Sequence, residues 1–289
     1  MATDIQTFNS QEAAKILGVN VSTIKRWTEE GKLECVKTAG GHRKFMMQHL
    51  SGFLKQNKKK NSRVNLFPLE NETDLKISHY ILRGDFEYLT DFVEDQAFAC
   101  NRDQIQQVLN GLYLGQYPLH EIFDRLITPI MYRIGERWQQ NEIAISEEHL
   151  ASQTIRDSMI RLQGIIRVPR RKTGTALCLS FSTELHDMAL KMIDHILESR
   201  GFKVLFSGQI TPILKIENVF DKLRPDRVYI SSTYIGDVET TQKEFDELCR
   251  ISDAYGADVF IGGGGFDSLI TDRPGVVKRL HSFRDVATY

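Results

Sequence analysis

Ser180-Phe-Ser-Thr-Glu-Leu-His-Asp-Met-Ala189 joins two apolar segments of different periodicity. Before it, Thr175-Ala-Leu-Cys-Leu-Ser-Phe181 is an apolar run of strand length. After it, Leu190-Lys-Met-Ile-Asp-His-Ile-Leu197 carries apolar residues at helical spacing. His186 therefore falls on a loop leaving the carboxyl end of a strand, the edge of an open α/β sheet at which ligands bind. Three more strand-like runs follow, around Lys203-Val-Leu-Phe206, Asp226-Arg-Val-Tyr-Ile230 and Ala257-Asp-Val-Phe-Ile261. Each ends in a small or polar cluster: Gly208-Gln-Ile-Thr-Pro212, Ser231-Ser-Thr233 and Gly262-Gly-Gly-Gly265. The pattern predicts strands over 175–181, 203–207, 227–232 and 258–263, and helices over 187–200, 212–223, 239–255 and 274–281. A last edge strand is expected in 283–288. Such alternation gives a parallel sheet with right-handed crossovers, a flavodoxin-like (Rossmann-type) domain.

The residue types on the rim are compatible with holding a ligand. Neutral imidazole suits borderline transition metals. A ligating histidine gives its other ring proton to an acceptor, for which Glu184 and Asp187 are both within reach in sequence. Glycines at 262–265 let a bulky ligand approach backbone. A loop histidine alone is usually a solvated side chain; the joint spacing sets this one apart. Between Ala189 and Ser231 lie 41 residues, and between Thr233 and Gly262 lie 28.

Glu184-x-His186-x-x-Ala189, Ser231-x-Thr233 and Gly262-Gly263, at these intervals, resemble the motif of the cobalamin-binding domains of methyltransferases, mutases and some regulators. The resemblance covers roughly 173–289 and implies that His186 ligates cobalt from below, with the cofactor's displaced tail beside the first helix. Ala189 stands where that family has glycine, and Thr233 where it has leucine.

Composition bounds the alternatives. With 289 residues, 41% hydrophobic and 26% charged, the chain allows two or three globular domains. It has no run long and apolar enough for a membrane span and no signal-peptide pattern at Met1, so a cytoplasmic location is expected. Cysteines 35, 100, 178 and 249 are too scattered for a disulfide framework or a C-x-x-C site. The net charge of −1 hides an asymmetry: residues 1–63 hold 12 Lys/Arg against 5 Asp/Glu. A basic head on an acidic body suggests nucleic acid as the head's partner.

That head reads as a winged helix-turn-helix. Ser10 is placed to cap Gln11–Leu17, Gly18-Val-Asn20 to turn, and Ser22 to cap Thr23–Glu30, which Gly31 stops. Ile24 and Trp27 face inward, leaving Ser22, Thr23, Lys25 and Arg26 outward. Leu33–Lys37 and Thr38–Phe45 form a hairpin wing, and Met46–Leu54 a third helix. Ala13 to Trp27 and Gly40-Gly-His-Arg-Lys-Phe45 closely resemble the DNA-binding head of MerR-family transcription regulators. The resemblance implies the second helix in the major groove and the wing on the backbone of operator DNA, with Ser22, Thr23, Lys25, Arg26, His42 and Arg43 as contacts.

Helical patterns near 74–83, 85–98, 102–112, 119–138 and 146–166 predict a bundle. Domain limits are expected at 1–57 (head), 58–72 (linker), 73–168 (bundle) and 173–289 (α/β domain). Trp138, followed by Glu148-His149, resembles the helical cap of light-sensing MerR regulators of the CarH type. That resemblance implies that Trp138, Glu148 and His149 cover the upper face of adenosylcobalamin. Gln139 stands where those relatives place a histidine able to bond cobalt after illumination. Either His149 substitutes, or the light product differs, or that photochemistry is not used. The implied function is a non-enzymatic regulator, a repressor, forming a homodimer or homotetramer controlled by adenosylcobalamin and light. Two alternatives stand beside it: a regulator that has lost the cofactor and senses another ligand or a protein antirepressor, and a corrinoid methyltransferase or mutase component.

Overall fold

The computed structural model describes residues 7–17, 19–38, 40–46, 49–50, 53 and 72–289. The linker expected over 58–72 lies outside these residues except for Glu72, where a helix begins.

In the head, α1 (Ser10–Ile16) and α2 (Val21–Glu29) pack against a three-stranded antiparallel sheet of β1 (Thr7–Phe8), β2 (Val36–Lys37) and β3 (Arg43–Met46), ordered β1-β3-β2. Phe8, Ala13, Ala14, Leu17, Ile24, Leu33, Phe45, Leu50 and Phe53 make its core, with the Trp27 ring 4.6 Å from that of Phe53. The caps fall one residue or more earlier than expected. Asn9, not Ser10, accepts from the N–H groups of Gln11 (2.8 Å) and Glu12 (3.0 Å), while the Glu12 carboxylate accepts from Asn9 N–H (2.7 Å). These reciprocal bonds satisfy donors that the helix itself cannot. Asn20, not Ser22, occupies the cap position of α2. Met46 ends a strand rather than opening a helix.

The bundle consists of α3 (Glu72–Arg83), α4 (Phe86–Phe98), α5 (Arg102–Leu114), a continuous helical segment over 119–139, and α8 (Ile145–Leu162). That segment runs through α6 (Leu119–Ile122), a π-helical turn (Phe123–Ile127) and α7 (Thr128–Gln139). The α/β half is a five-stranded parallel sheet: β4 (Gly174–Leu179), β5 (Phe202–Gly208), β6 (Arg227–Ser231), β7 (Asp258–Gly262) and β8 (Val277–Arg279), ordered β5-β4-β6-β7-β8. Alternation along the strands explains why both faces are buried. Cys178, Tyr229 and Phe260, in register across β4, β6 and β7, point to the bundle side, and the last two rings stack at 4.7 Å. Leu177, Leu179, Val228, Ile230, Val259 and Ile261 point the other way, against α10 (Glu217–Leu223) and α11 (Val238–Tyr255). On the bundle side, α9 (Met188–Ser199) and α12 (Phe283–Thr288) lie in one hydrophobic cluster with the bundle itself.

Three expected elements differ. The expected helix over 274–281 contains strand β8, and the expected edge strand over 283–288 is helix α12. The missed signal is Ser282-x-x-Asp285, a capping box in which each side chain accepts from the other's backbone N–H. Asp124 of the π turn adds bonds from the N–H groups of Phe283 (2.8 Å) and Arg284 (3.0 Å). Helix α10 starts at Glu217 rather than at 212, after Lys215 takes a left-handed conformation at φ 61°.

His195 of α9 is buried between sheet and bundle, 6.4 Å from the Phe123 ring, and its Nδ1 has no hydrogen-bond partner among the described residues. Burial lowers its pKa to about 4, with the Lys191 charge acting in the same direction. The unfolded chain therefore takes up a proton that the folded one refuses, and stability falls as pH drops from about 6.5 toward 4. We expect His195→Leu to remove about 2 kcal/mol of the stability difference between pH 7 and pH 5. Urea unfolding of both proteins at the two pH values checks this; parallel losses would contradict it.

Candidate functional site

The order β5-β4-β6 places a reversal of strand order between β4 and β6, and in such sheets the crevice outside the carboxyl ends at that reversal takes the ligand. The loops leaving β4 and β6 meet there on one side chain. Glu184 is 2% exposed. Its Oε1 accepts from the backbone N–H of His186 (2.8 Å) and from His186 Nδ1 (2.7 Å). Its Oε2 accepts from Ser232 Oγ (3.1 Å) and from the N–H groups of Thr233 (2.6 Å) and Tyr234 (3.4 Å). Its carbonyl oxygen accepts from Ile210 N–H (3.2 Å), so the loop after β5 is held too. Burial pushes the carboxyl pKa up, but the imidazole and the backbone N–H groups of His186 and Thr233 together bring it down to about 2.

Glu184, and not Asp187, is thus the partner of His186. Asp187 is committed elsewhere: its two oxygens take Nε (3.1 Å) and a terminal nitrogen (2.9 Å) of Arg156 on α8, a fork that ties the bundle to the residue after the histidine. The His186 side chain is 64% exposed. With Nδ1 turned to Glu184, its Nε2 has no hydrogen-bond partner among the described residues. The Glu184 carboxylate raises its pKa above the ordinary value, burial opposes this, and the charges of Glu148 and Asp187 add to the rise. An imidazole oriented by a carboxylate in this way is a more basic donor to a metal.

The contribution of Glu148 brings the bundle into the site. Glu148 lies in the first turn of α8, where it accepts from Ser152 Oγ (2.7 Å) and contacts Nδ1 of His149. The His149 ring is 71% exposed. Trp138, next to last in α7, is 43% exposed and therefore not bundle core. Gln139 beside it is exposed. Large apolar side chains are exposed on the same elements and on the rim loops. Ile145 and Leu150 on the bundle, and Leu185, Ile210, Leu214 and Tyr234 on the rim loops, are all large and exposed. No sequence pattern had marked them, because an isolated apolar residue on a loop reads as noise until the loops are brought together.

The glycines have two different reasons to exist. A Cβ on Gly263 (φ 98°) would lie 2.2 Å from the Ser232 carbonyl oxygen, and one on Gly265 would lie 2.6 Å from Ser232 Oγ. Those two positions serve the packing of the chain on itself rather than a ligand's approach. Gly262 and Gly264 meet only ordinary contacts. Ser231, in register with Gly262, is buried at the end of β6, and Thr233 is exposed. Ala189 is half-buried in the first turn of α9.

In the head, Ser22, Lys25, Arg26 and His42 are exposed and Thr23 is half-buried. Arg43 departs from expectation: its side chain is 20% exposed and folded back onto α2, donating to Glu29 Oε1 at 2.9 Å.

Comparison with known proteins agrees with this two-part organisation. Residues 7–58 match the family described as a helix-turn-helix domain, and residues 76–163 match the family described as a B12 binding domain. The second match falls on the bundle, not on the α/β half that carries His186. Over 273 residues, 89% of either chain, the sequence is 26% identical to the HTH-type transcriptional repressor CarH of Myxococcus xanthus. The fold is similar to that of the monomethylamine corrinoid protein of Methanosarcina barkeri, with a TM-score of 0.57, 13% identity, and coverage of 70% of this chain and 96% of that one.

Replacing Glu184 by alanine removes the acceptor of five donors at once, the Ser232 hydroxyl buried and the four from His186, Thr233 and Tyr234 part-buried. Each such donor costs on the order of 1–3 kcal/mol, so we expect Glu184→Ala to lose about 3 kcal/mol or more in urea unfolding. A loss within the range of an exposed substitution would refute the role given to this side chain.

Proposed function

We propose that the chain is a transcription regulator, a repressor, whose occupancy of operator DNA is set by adenosylcobalamin held between the sheet rim and the helical roof. The observation that carries the proposal is the Glu184–His186 pair: one imidazole on the rim, fixed by a buried carboxylate, with Nε2 free and the roof's Glu148 near enough to influence it. Among the described residues no three His, Cys, Asp or Glu side chains converge on a common point. A metal taken here by His186 has to bring most of its own ligands, as a corrin does. The exposed apolar side chains of roof and rim suit a large flat group, and the similarity to a B12 binding domain supports the same assignment.

In this reading His186 would supply the protein's ligand to the metal. Ser231, Thr233 and Gly262 would border the cofactor's tail, with Gly263 holding the loop against Ser232, and Trp138, Glu148 and His149 would contact the group from the bundle side. When bound, the cofactor supplies a metal–carbon bond that light can cleave. The chain's residues orient it, shield it from water and couple its presence to the roof. Gln139 offers no imidazole; His149, which is exposed, is the residue that would substitute for it, unless the light product differs or that photochemistry is not used. The head binds duplex DNA through α2 and the wing, the four domain segments keep the limits given above, and the assembly that occupies the operator is a homo-oligomer.

A second reading, a regulator of the same build that senses another ligand or an antirepressor, is favoured by Ala189, Thr233 and Gln139. Retention decides between them. The wild-type chain mixed with adenosylcobalamin in the dark is expected to keep the chromophore through desalting, and His186→Ala to lose most of it. A colourless wild-type protein, or undiminished retention in the variant, removes the cofactor from the reading. Sizing and DNA retardation, dark against lit, then test whether the oligomer and its grip on DNA depend on light.

A further inference from the structure

The basic surface of the head is held by its own acids. Arg43 leaves β3 toward α2 and places one terminal nitrogen 2.9 Å from Glu29 Oε1. The arginine is 20% exposed and the glutamate 68%. On the same helix end, Glu30 takes Lys32 Nζ at 2.6 Å and lies 3.9 Å from Arg26 Nε. The tucked pose of Arg43 is not saturated: its Nε is buried with no hydrogen-bond partner among the described residues. A guanidinium offers five N–H donors, so the pose leaves one of them stranded at a cost. Swinging outward to a phosphate would recover that donor and exchange one oxyanion for another. An exposed carboxylate beside the arginine is chemically a stand-in for that phosphate.

We propose that Glu29 is a built-in competitor for DNA phosphate, holding the wing arginine Arg43 on α2 until a correctly placed phosphate displaces it. The proposal rests on the reading of the wing as a DNA contact. Its consequence is that Glu29 lowers affinity for any duplex and lowers it most where phosphates are poorly positioned. Discrimination is raised by penalising the wrong partner, not by adding a contact to the right one.

The test uses the full chain and a labelled duplex of mixed sequence, titrated across a range of salt. Four variants are compared with wild type: Glu29→Gln, Arg43→Gln, the double variant, and Glu34→Gln as a control for one exposed head carboxylate with no ion-pair partner among the described residues. Glu29→Gln is expected to bind about two- to fivefold tighter than the Glu34→Gln control, the range an exposed pair commands. Arg43→Gln is expected to bind more weakly, with a salt slope shallower by about 0.9. In the double variant the gain from Glu29→Gln should vanish, because the competitor has nothing left to hold. A Glu29→Gln that binds no tighter than the control, or a gain that persists without Arg43, overturns the proposal while leaving the wing assignment intact. Wild-type binding and slope in Arg43→Gln overturn the wing assignment and the proposal with it. Thermal unfolding followed by circular dichroism confirms that each variant is folded.

Discussion

One carboxylate holds the rim together. Glu184 is buried, carries its charge at any ordinary pH, and gathers bonds from the loops after β4 and β6, while its carbonyl oxygen takes one from the loop after β5. A charge so placed is tolerable only because every one of its oxygens is satisfied; stripped of those donors it would cost several kcal/mol. That cost is offset by bonds that orient His186. The imidazole is exposed, yet its Nδ1 and its backbone N–H both end on the same oxygen.

The bundle is tied to the α/β half in three ways, one of them at the rim itself. A single hydrophobic cluster runs from the bundle through α9 and α12 to the sheet face bearing Cys178, Tyr229 and Phe260. The Arg156–Asp187 fork joins α8 to the residue next to His186. Asp124 caps α12 from within the π turn. A closely packed interior transmits displacement instead of absorbing it, so a shift of α8 moves both Glu148 at one end and Asp187 through its partner. Roof and rim are therefore positioned as one unit, and a group seated between them would be sensed by both.

The parallel sheet, the bundle and the basic head were legible because each rests on periodicity or on a local pattern. The alternating apolar runs of β4, β6 and β7 admit one reading, and the spacing from His186 to Gly262 follows from the strand order. What was not legible came from long-range partners. Whether Glu184 or Asp187 serves His186 depends on Arg156, 31 residues away on another element. That Gly263 and Gly265 are required by Ser232 depends on how two loops stack. Arg43, a DNA contact by the resemblance, lies inward because the Glu29 carboxylate, 14 residues earlier, accepts from its guanidinium. The C-terminal helix is a different case: its capping box, Ser282-x-x-Asp285, is a local pattern that the sequence itself carries.

On the reading proposed above, the energy for switching is already visible on the surface. Leu185, Ile210, Leu214 and Tyr234 on the rim, with Trp138, Ile145 and Leu150 on the bundle, are solvated in the structure as it stands. These side chains are 43% to 83% exposed, so covering what remains of one is worth roughly 1–2 kcal/mol. Moving a two-state equilibrium from 1:99 to 99:1 takes about 5.5 kcal/mol of differential affinity. Covering about four or five of these residues in one state and not in the other would meet that demand without any new charge. A ligand that touched only His186 could bind tightly and still switch nothing, because its interaction would be equal in both states. The apolar fringe, more than the metal ligand, is where a difference between states has to be generated.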